Sequence, residues 1–491
     1  MWRPPTARLR LTPLAAHHVD TAPAPVPRVG CALVPAADGS RLVLVAGANH
    51  EQGVQNDVWQ LDLASETWSR PAAAAAAAAA CPSPRYELVL VPATRQAEAG
   101  YVLFGGSAGD ALCSDTWWLR PDLTWTPLST TGTTPSPRTG HGCVTTGREG
   151  DCLTTVFGGG MGSSPVADDR VYQLDLTTLV WTATMPTGPL RPAPRLGHTL
   201  TALDADNLVL LGGLVDPVAA VAAPSPPSKQ AALSKPSPPS ATAAAASAAA
   251  TALSHGPLWH YAPTEKRWTP IRCDDGRDRA SLARTAHTTS LVHADDGGWI
   301  LLVAGGMQCP PLTAAAAAAA TAASAPALAA PTLLVMAIQH DPDGGWVARR
   351  VSVTGDAVAR WPARLDHAAT TLPSPPPPPP PSATRSASTS SASAPPLPSS
   401  SPPASRRTAL VLAGGMDFSR VMLDSWRIEL EFVPASAAPS APAAADGVVD
   451  PSSVFVQGRA LPADVIVDEE TDVLPAGAQA LPKGMVAFSE V

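Results

Sequence analysis

A six-bladed, all-β propeller is the architecture this sequence specifies, on three grounds. An apolar run closes on a glycine six times, usually the second of a Gly-Gly pair, at Gly47, Gly106, Gly159, Gly213, Gly306 and Gly415. About twenty residues before each of the first five, and before the sixth once the run at 372–406 is set aside, stands an arginine, usually after proline: Arg28, Arg85, Arg138, Arg195, Arg284 and Arg364. Downstream of most come two aromatics eight or nine residues apart, as in Trp59 and Trp68, Trp117 and Trp125, Tyr172 and Trp181, Trp259 and Trp268. Apolar/polar alternation broken by short polar gaps marks β-hairpins. Self-similarity at a fixed period of 20–50 residues marks a solenoid, propeller or array.

The spacing places each unit. Successive glycines lie 59, 53, 54, 93 and 109 residues apart. The two long intervals hold Ala/Pro/Ser-rich runs at 217–256, 310–331 and 372–406, and without them the spacing returns to that of the others. A fourth such run occupies 71–83. Segments of this composition cannot bury a core, so they are expected as disordered inserts in a single propeller spanning 1–432. The Pro/Ala-rich stretch 433–491 is expected to be a mostly disordered tail.

Each unit reads as an Arg-led strand, an apolar strand ending in Gly-Gly, a strand carrying the first aromatic, and an outer strand opening with Trp. Three residues after each arginine stand Cys31, Leu88, His141, His198, His287 and His367. Glycines permit positive φ where backbones crowd, and the aromatics fill the wedge between neighbouring blades. Buried Arg and His need fixed polar partners, expected to be backbone carbonyls and the blade's Asp. Three units depart from the pattern. The first has Ala46 at the leading Gly, the second has Leu88 at the His position, and the fifth has LLVMAIQH (333–340) where a Trp strand belongs. The sixth unit runs out after Trp426 with no outer Trp strand, while Trp2 precedes Arg28 much as Trp125 precedes Arg138. The segment from Trp2 is therefore expected to close the last blade and remove an open sheet edge.

Composition excludes several function classes. The 491 residues carry 33 basic and 41 acidic side chains, a net charge of −8, and no basic run longer than two arginines. Nucleic acid is not expected as a partner, because phosphate binding needs a concentrated cationic face. Seven cysteines without CxxC spacing argue against a disulfide framework or structural zinc. The first residues lack the apolar core of a secretory signal, and no uncharged apolar stretch reaches the ~18 residues of a membrane span. A soluble, cytoplasmic protein is expected.

Catalytic readings are weak. The recurring His141, His198, His287 and His367 could ligate a metal, but their repeat spacing makes them structural. A copper oxidase would need Tyr and His ligands near the axis, and of the four tyrosines, Tyr86, Tyr101, Tyr172 and Tyr261, the third holds a core repeat position. Acid pairs such as Asp168-Asp169 lie in turns, where Asp is favoured for backbone reasons. No glycine-rich loop follows a strand and opens a helix. No catalytic residue, cofactor or metal is expected. A rigid scaffold presenting variable loops suits protein binding. Among those loops Met161, Met307, Met416 and Phe418 are the candidate anchors.

The four-stranded unit of about 50 residues resembles the kelch repeat. The order of PRVG (27–30), PRYE (84–87), PSPRTGH (135–141), PRLGH (194–198), AGGM (304–307) and ARLDH (363–367), then a long polar insert and a terminal AGGM (413–416), is similar to that of the Rab effectors built on kelch motifs. That resemblance covers about residues 25–430. It implies a cytosolic propeller, peripheral on endosomal membranes, that binds the GTP form of a late-endosomal Rab (Rab nine) and supports transport to the trans-Golgi. No Rab-contacting residue carries over from it. The alternatives are a generic kelch scaffold, serving as a cytoskeletal or ubiquitin-ligase adaptor, and more remotely a copper oxidase.

Overall fold

Aliphatic runs such as RLVLVAGAN (Arg41–Asn49), buried at every position after Arg41, suit strands covered on both faces. The computed structural model describes residues 6–14, 24–71, 81–147, 153–161, 164–215, 256–273, 281–293, 298–309, 333–341, 344–354, 364–372, 407–416, 421–422 and 424–433. Trp2, Phe418, nearly all of the four inserts and the tail beyond Val433 lie outside them. Every named element among the described residues is a strand.

Six antiparallel sheets form in sequence order. Blade 1 comprises Ala32–Pro35, Arg41–Asn49, Gly53–Asp62 and Thr67–Ser69, and blade 2 Val89–Arg95, Glu98–Phe104, Thr116–Leu119 and Trp125–Pro127. Blade 3 comprises Gly142–Thr146, Leu153–Phe157, Val171–Asp175 and Val180–Thr184, and blade 4 Arg195–Ala202, Leu208–Val215, Leu258–Ala262 and Arg267–Pro270. Blade 5 comprises Thr288–His293, Trp299–Ala304, Leu333–Asp341 and Gly345–Arg350. Blade 6 takes Ala368–Thr371, Arg407–Ala413 and Ser425–Val433 from the end of the described chain and Thr6–Leu14 from its start. The innermost strands touch in cyclic order, with blade 6 against blade 1. The fold is a closed six-bladed β-propeller.

The apolar core is split among the blade interfaces. Six buried clusters each draw on two neighbouring blades, as where Val43, Val45 and Val58 of blade 1 meet Leu90, Leu103 and Trp125 of blade 2. Blade 6 is closed by antiparallel pairing of Thr6–Leu14 with Ser425–Val433, from Thr6 opposite Val433 to Leu14 opposite Ser425. Leu11 sits opposite Ile428, the position Trp68 holds opposite Leu61 in blade 1. The third strand of blade 5, Leu333–Asp341, carries no Trp, as expected, and the outer strand supplies Trp346, which the sequence reading did not single out and which stacks on His260 of blade 4 with ring centres 4.4 Å apart.

The outer edges of blades 3, 4, 5 and 6 are covered by the connections between blades. Thr131–Gly132, Arg272–Cys273 and Ser352–Thr354 each run parallel to the outer strand of the blade that follows, and Thr187 bridges Arg267 in the same sense. Edges so covered are not templates for another chain.

Candidate functional site

Each blade opens on a buried arginine with one recurring job. In all six, Nη1 donates to the carbonyl of the residue leading the glycine pair: Ala46, Gly105, Gly158, Gly212, Gly305 and Gly414, at 2.8–3.1 Å. Four arginines also meet the blade's aspartate, as Arg28–Asp57, Arg85–Asp115, Arg138–Asp168 and Arg364–Asp424. The aspartate in turn accepts from Trp59, Trp117, Tyr172 or Trp426. Burial pushes the Asp57 carboxyl up, but the Arg28 hydrogen bonds and charge outweigh it and hold the group below its ordinary range. Gly47, Gly106, Gly159, Gly213, Gly306 and Gly415 follow at φ between +93° and +103°, a region where side chains are costly.

The histidines reach back to the preceding blade. His198 Nε2 accepts from the Gly142 amide at 3.2 Å, His287 Nε2 meets Thr199 Oγ1 at 3.2 Å, and His367 Nε2 meets Thr288 Oγ1 at 2.8 Å. The His141 ring lies edge-on against Phe104, 5.3 Å between centres. Burial and then the blade's own arginine push His141, His198 and His367 down to about 3, so they are neutral at physiological pH. Among the described residues no group of three or more His, Cys, Asp or Glu is placed to hold a metal ion.

The residue before each position of this column lines the channel. Gly30, Glu87, Gly140, Gly197, Ala286 and Asp366 all have φ between +51° and +65°. Their backbones hydrogen-bond from blade to blade: Glu87 N–H to Gly30, Gly30 to Asp366, Asp366 to Ala286, Ala286 to Gly197 and Gly197 to Gly140, at 2.7–3.1 Å. A cavity of about 160 Å³ opens here, lined by Glu87, Asp366, Leu196 and the four histidines among others. The two acids gave no signal in the repeat pattern, which leads one to expect glycine at their positions.

The two ends of the sheets differ. One end carries tight turns in which Asp38, Asp62, Asp122, Asp175 and Asp204 accept from residues two or three positions ahead. The other end carries the segments after the glycine pairs. There Ala48, Ser107, Gly160, Leu214, Met307 and Met416 pair with the residue following each repeat arginine. Met307 and Met416 are therefore ring equivalents in blades 5 and 6, both half-buried. Met161 of blade 3 is 61% exposed at the same end. Met185, which the repeat did not single out, is 57% exposed at that end of blade 3. Its sulfur accepts from Arg191, which also pairs with Asp169 at 2.7 Å.

Residues 9–213 match the KLHDC2/KLHL20/DRC7 Kelch-repeats domain. The chain is similar to the Rab9 effector protein with kelch motifs of Gallus gallus, 34% identical over 188 residues that make up 38% of this chain and 47% of that protein. Its Homo sapiens counterpart is 31% identical over 198 residues, 39% of this chain and 50% of that protein. Kelch domain-containing protein 2 of Bos taurus is 38% identical over 89 residues, 18% of this chain and 20% of that protein. The chain thus spans about half the length of the Rab9 effector relatives it matches. No helix among the described residues is long and apolar enough to cross a membrane. The six buried arginines, their glycine pairs and the cyclic order of the sheets converge on one architecture: the described residues form a six-bladed β-propeller, whose residues 9–213 are similar to kelch repeats.

Proposed function

We propose that this propeller is a non-enzymatic protein-binding module that recognises the GTP form of an endosomal Rab GTPase through the end bearing the post-glycine segments. The similarity to the Rab9 effector relatives carries the reading. Geometry supports the choice of face: one end is tied down in Asp-capped turns, while the other presents blade-specific segments with Met161 and Met185 exposed. Large apolar side chains on a rigid frame suit the centre of an interface. Met161 is the leading anchor, with Met307, Met416 and Phe418 alongside. On this reading the protein is peripheral on endosomal membranes and supports transport to the trans-Golgi.

A Rab effector must contact switch loops that are ordered only while the γ-phosphate and Mg²⁺ hold them. Affinity for the GTP form should exceed that for GDP by about 5–150-fold. Calorimetric titration of the chain with endosomal Rabs loaded with GTP analogue or GDP tests this. Equal affinities, or none, would leave the second reading in front: a kelch adaptor for another protein, favoured by the match to Kelch domain-containing protein 2.

A further inference from the structure

Glu87 and Asp366 occupy positions that are glycine in three of the six blades, and both hold φ near +50°. They flank Gly30 in the channel ring: the Glu87 amide donates to the Gly30 carbonyl at 2.8 Å, and the Gly30 amide donates to the Asp366 carbonyl at 3.1 Å. Their side chains line one cavity. The Glu87 carboxylate also accepts from the Thr139 hydroxyl, which ties blade 2 to blade 3. We propose that Glu87 and Asp366 are a pH-sensitive latch on ring closure, which with one proton between them leaves blades 6, 1 and 2 joined around Gly30 and with both ionised pushes them apart.

The surroundings favour that behaviour. No Arg or Lys lines the cavity, and its four histidines are kept neutral by burial. Arg85 and Arg364, each two residues before one of the acids, are turned to Asp115 and Asp424, and Arg28, two residues before Gly30, is turned to Asp57. Tyr86, facing both acids, is pushed up by burial, opposed by its hydrogen bond with Ser107, with a smaller upward push from the charges of Glu87 and Asp366. Cys31, beside Asp366, is pushed up to about 11, chiefly by burial. Among the described residues lining the cavity, nothing cationic offsets a second negative charge. Burial raises Glu87, opposed by the Thr139 hydrogen bond. Burial, and then the Glu87 charge, push Asp366 up to about 8. The pair therefore keeps one proton after the first has gone, and that last proton leaves to solvent in the channel.

The sign follows from linkage. A carboxyl raised in the folded state binds a proton that the unfolded chain has lost, so stability falls as pH rises towards the folded value and levels off above it. The histidines act in the opposite sense and mainly below about pH 6.5, and the buried thiols act in the same sense as the pair from about pH 8.5, where the unfolded thiols ionise. From pH 7 to 8 the pair dominates, and comparison with Asp366→Asn removes the share of every other group.

The test is urea unfolding of the full chain at half-unit steps across that window, with amide hydrogen exchange at Gly30 and Glu87. The folding constant of the wild type should fall with pH relative to Asp366→Asn, at a slope approaching tenfold per unit below pH 8. Protection of the Gly30 and Glu87 amides should fall with it in the wild type and stay level in the variant. Should Asp366→Asn fail to fold, Glu87→Gln serves instead: it removes the charge that raises Asp366 and should move the decline to lower pH. Parallel unfolding curves for wild type and variant, or ring-amide protection independent of pH, would overturn the latch.

Discussion

The amide of Gly415 donates to the carbonyl of Arg28 at 3.1 Å, and through it the last blade is joined to the first. The same bond runs from Gly47 to Arg85, Gly106 to Arg138, Gly159 to Arg195 and Gly306 to Arg364. Five of the six repeat arginines, Arg28, Arg85, Arg138, Arg195 and Arg364, therefore work twice. The carbonyl of each anchors the preceding blade and its guanidinium holds its own glycine pair. Such an arginine cannot be replaced without loosening two interfaces.

Arg28→Ala leaves Asp57 half-buried without its cation. Breaking a buried pair on one side costs about 3 kcal/mol or more. Arg28→Lys should recover only part of this, because an ammonium cannot reproduce the guanidinium fork. Urea midpoints of the two variants check both statements. Equal stability of wild type and Arg28→Ala would remove the arginine from the account.

Glycine is required where a side chain would collide. A Cβ on Gly305, at φ +62°, would stand 2.3 Å from the Arg364 carbonyl oxygen, so Gly305→Ala should cost more than about 2 kcal/mol. Ala46 holds the same position in blade 1 at φ +60°. Ala46→Gly should therefore stabilise by about 1 kcal/mol. Thermal unfolding of the pair reads both signs at once.

The neutral histidines make the fold acid-sensitive. In the unfolded chain they take up protons below about pH 6.5, whereas the folded values of His141, His198 and His367 lie at about 3. Their contribution is present above pH 6.5 and is lost as pH falls through that window. His198→Ala should flatten the acid limb of the stability curve and cost about 1–3 kcal/mol at pH 7, since the Gly142 amide loses its acceptor. An acid limb unchanged in this variant would contradict the assignment.

Deleting residues 1–14 removes the strand that pairs along Ser425–Val433 and takes Ala7 and Leu9 out of the core. Losses of about 4 kcal/mol or more, or failure to fold, are expected. An unchanged melting temperature would mean that the sheet closes without that strand.

Blade number, strand order and the glycine pairs were legible because each repeats, and repetition separates a constraint from chance. The histidine partners were not. They lie on the preceding blade, at Gly142, Thr199 and Thr288, and such contacts have no fixed distance along a chain interrupted by inserts. Glu87 and Asp366 were hidden for the opposite reason. Each looks like a lapse in a glycine column until the ring brings the two into one cavity. Met185 follows an ordinary outer strand, and only its exposure distinguishes it.

The claim that the post-glycine end receives the partner is tested most directly by hydrogen exchange on the chain alone and bound to a GTP-analogue-loaded Rab. Protection is predicted in the segments around Ala48, Ser107, Met161 and Met416 and at Met185, with the Asp-capped turns at Asp38, Asp62, Asp122 and Asp175 unchanged. Protection confined to those turns would contradict it.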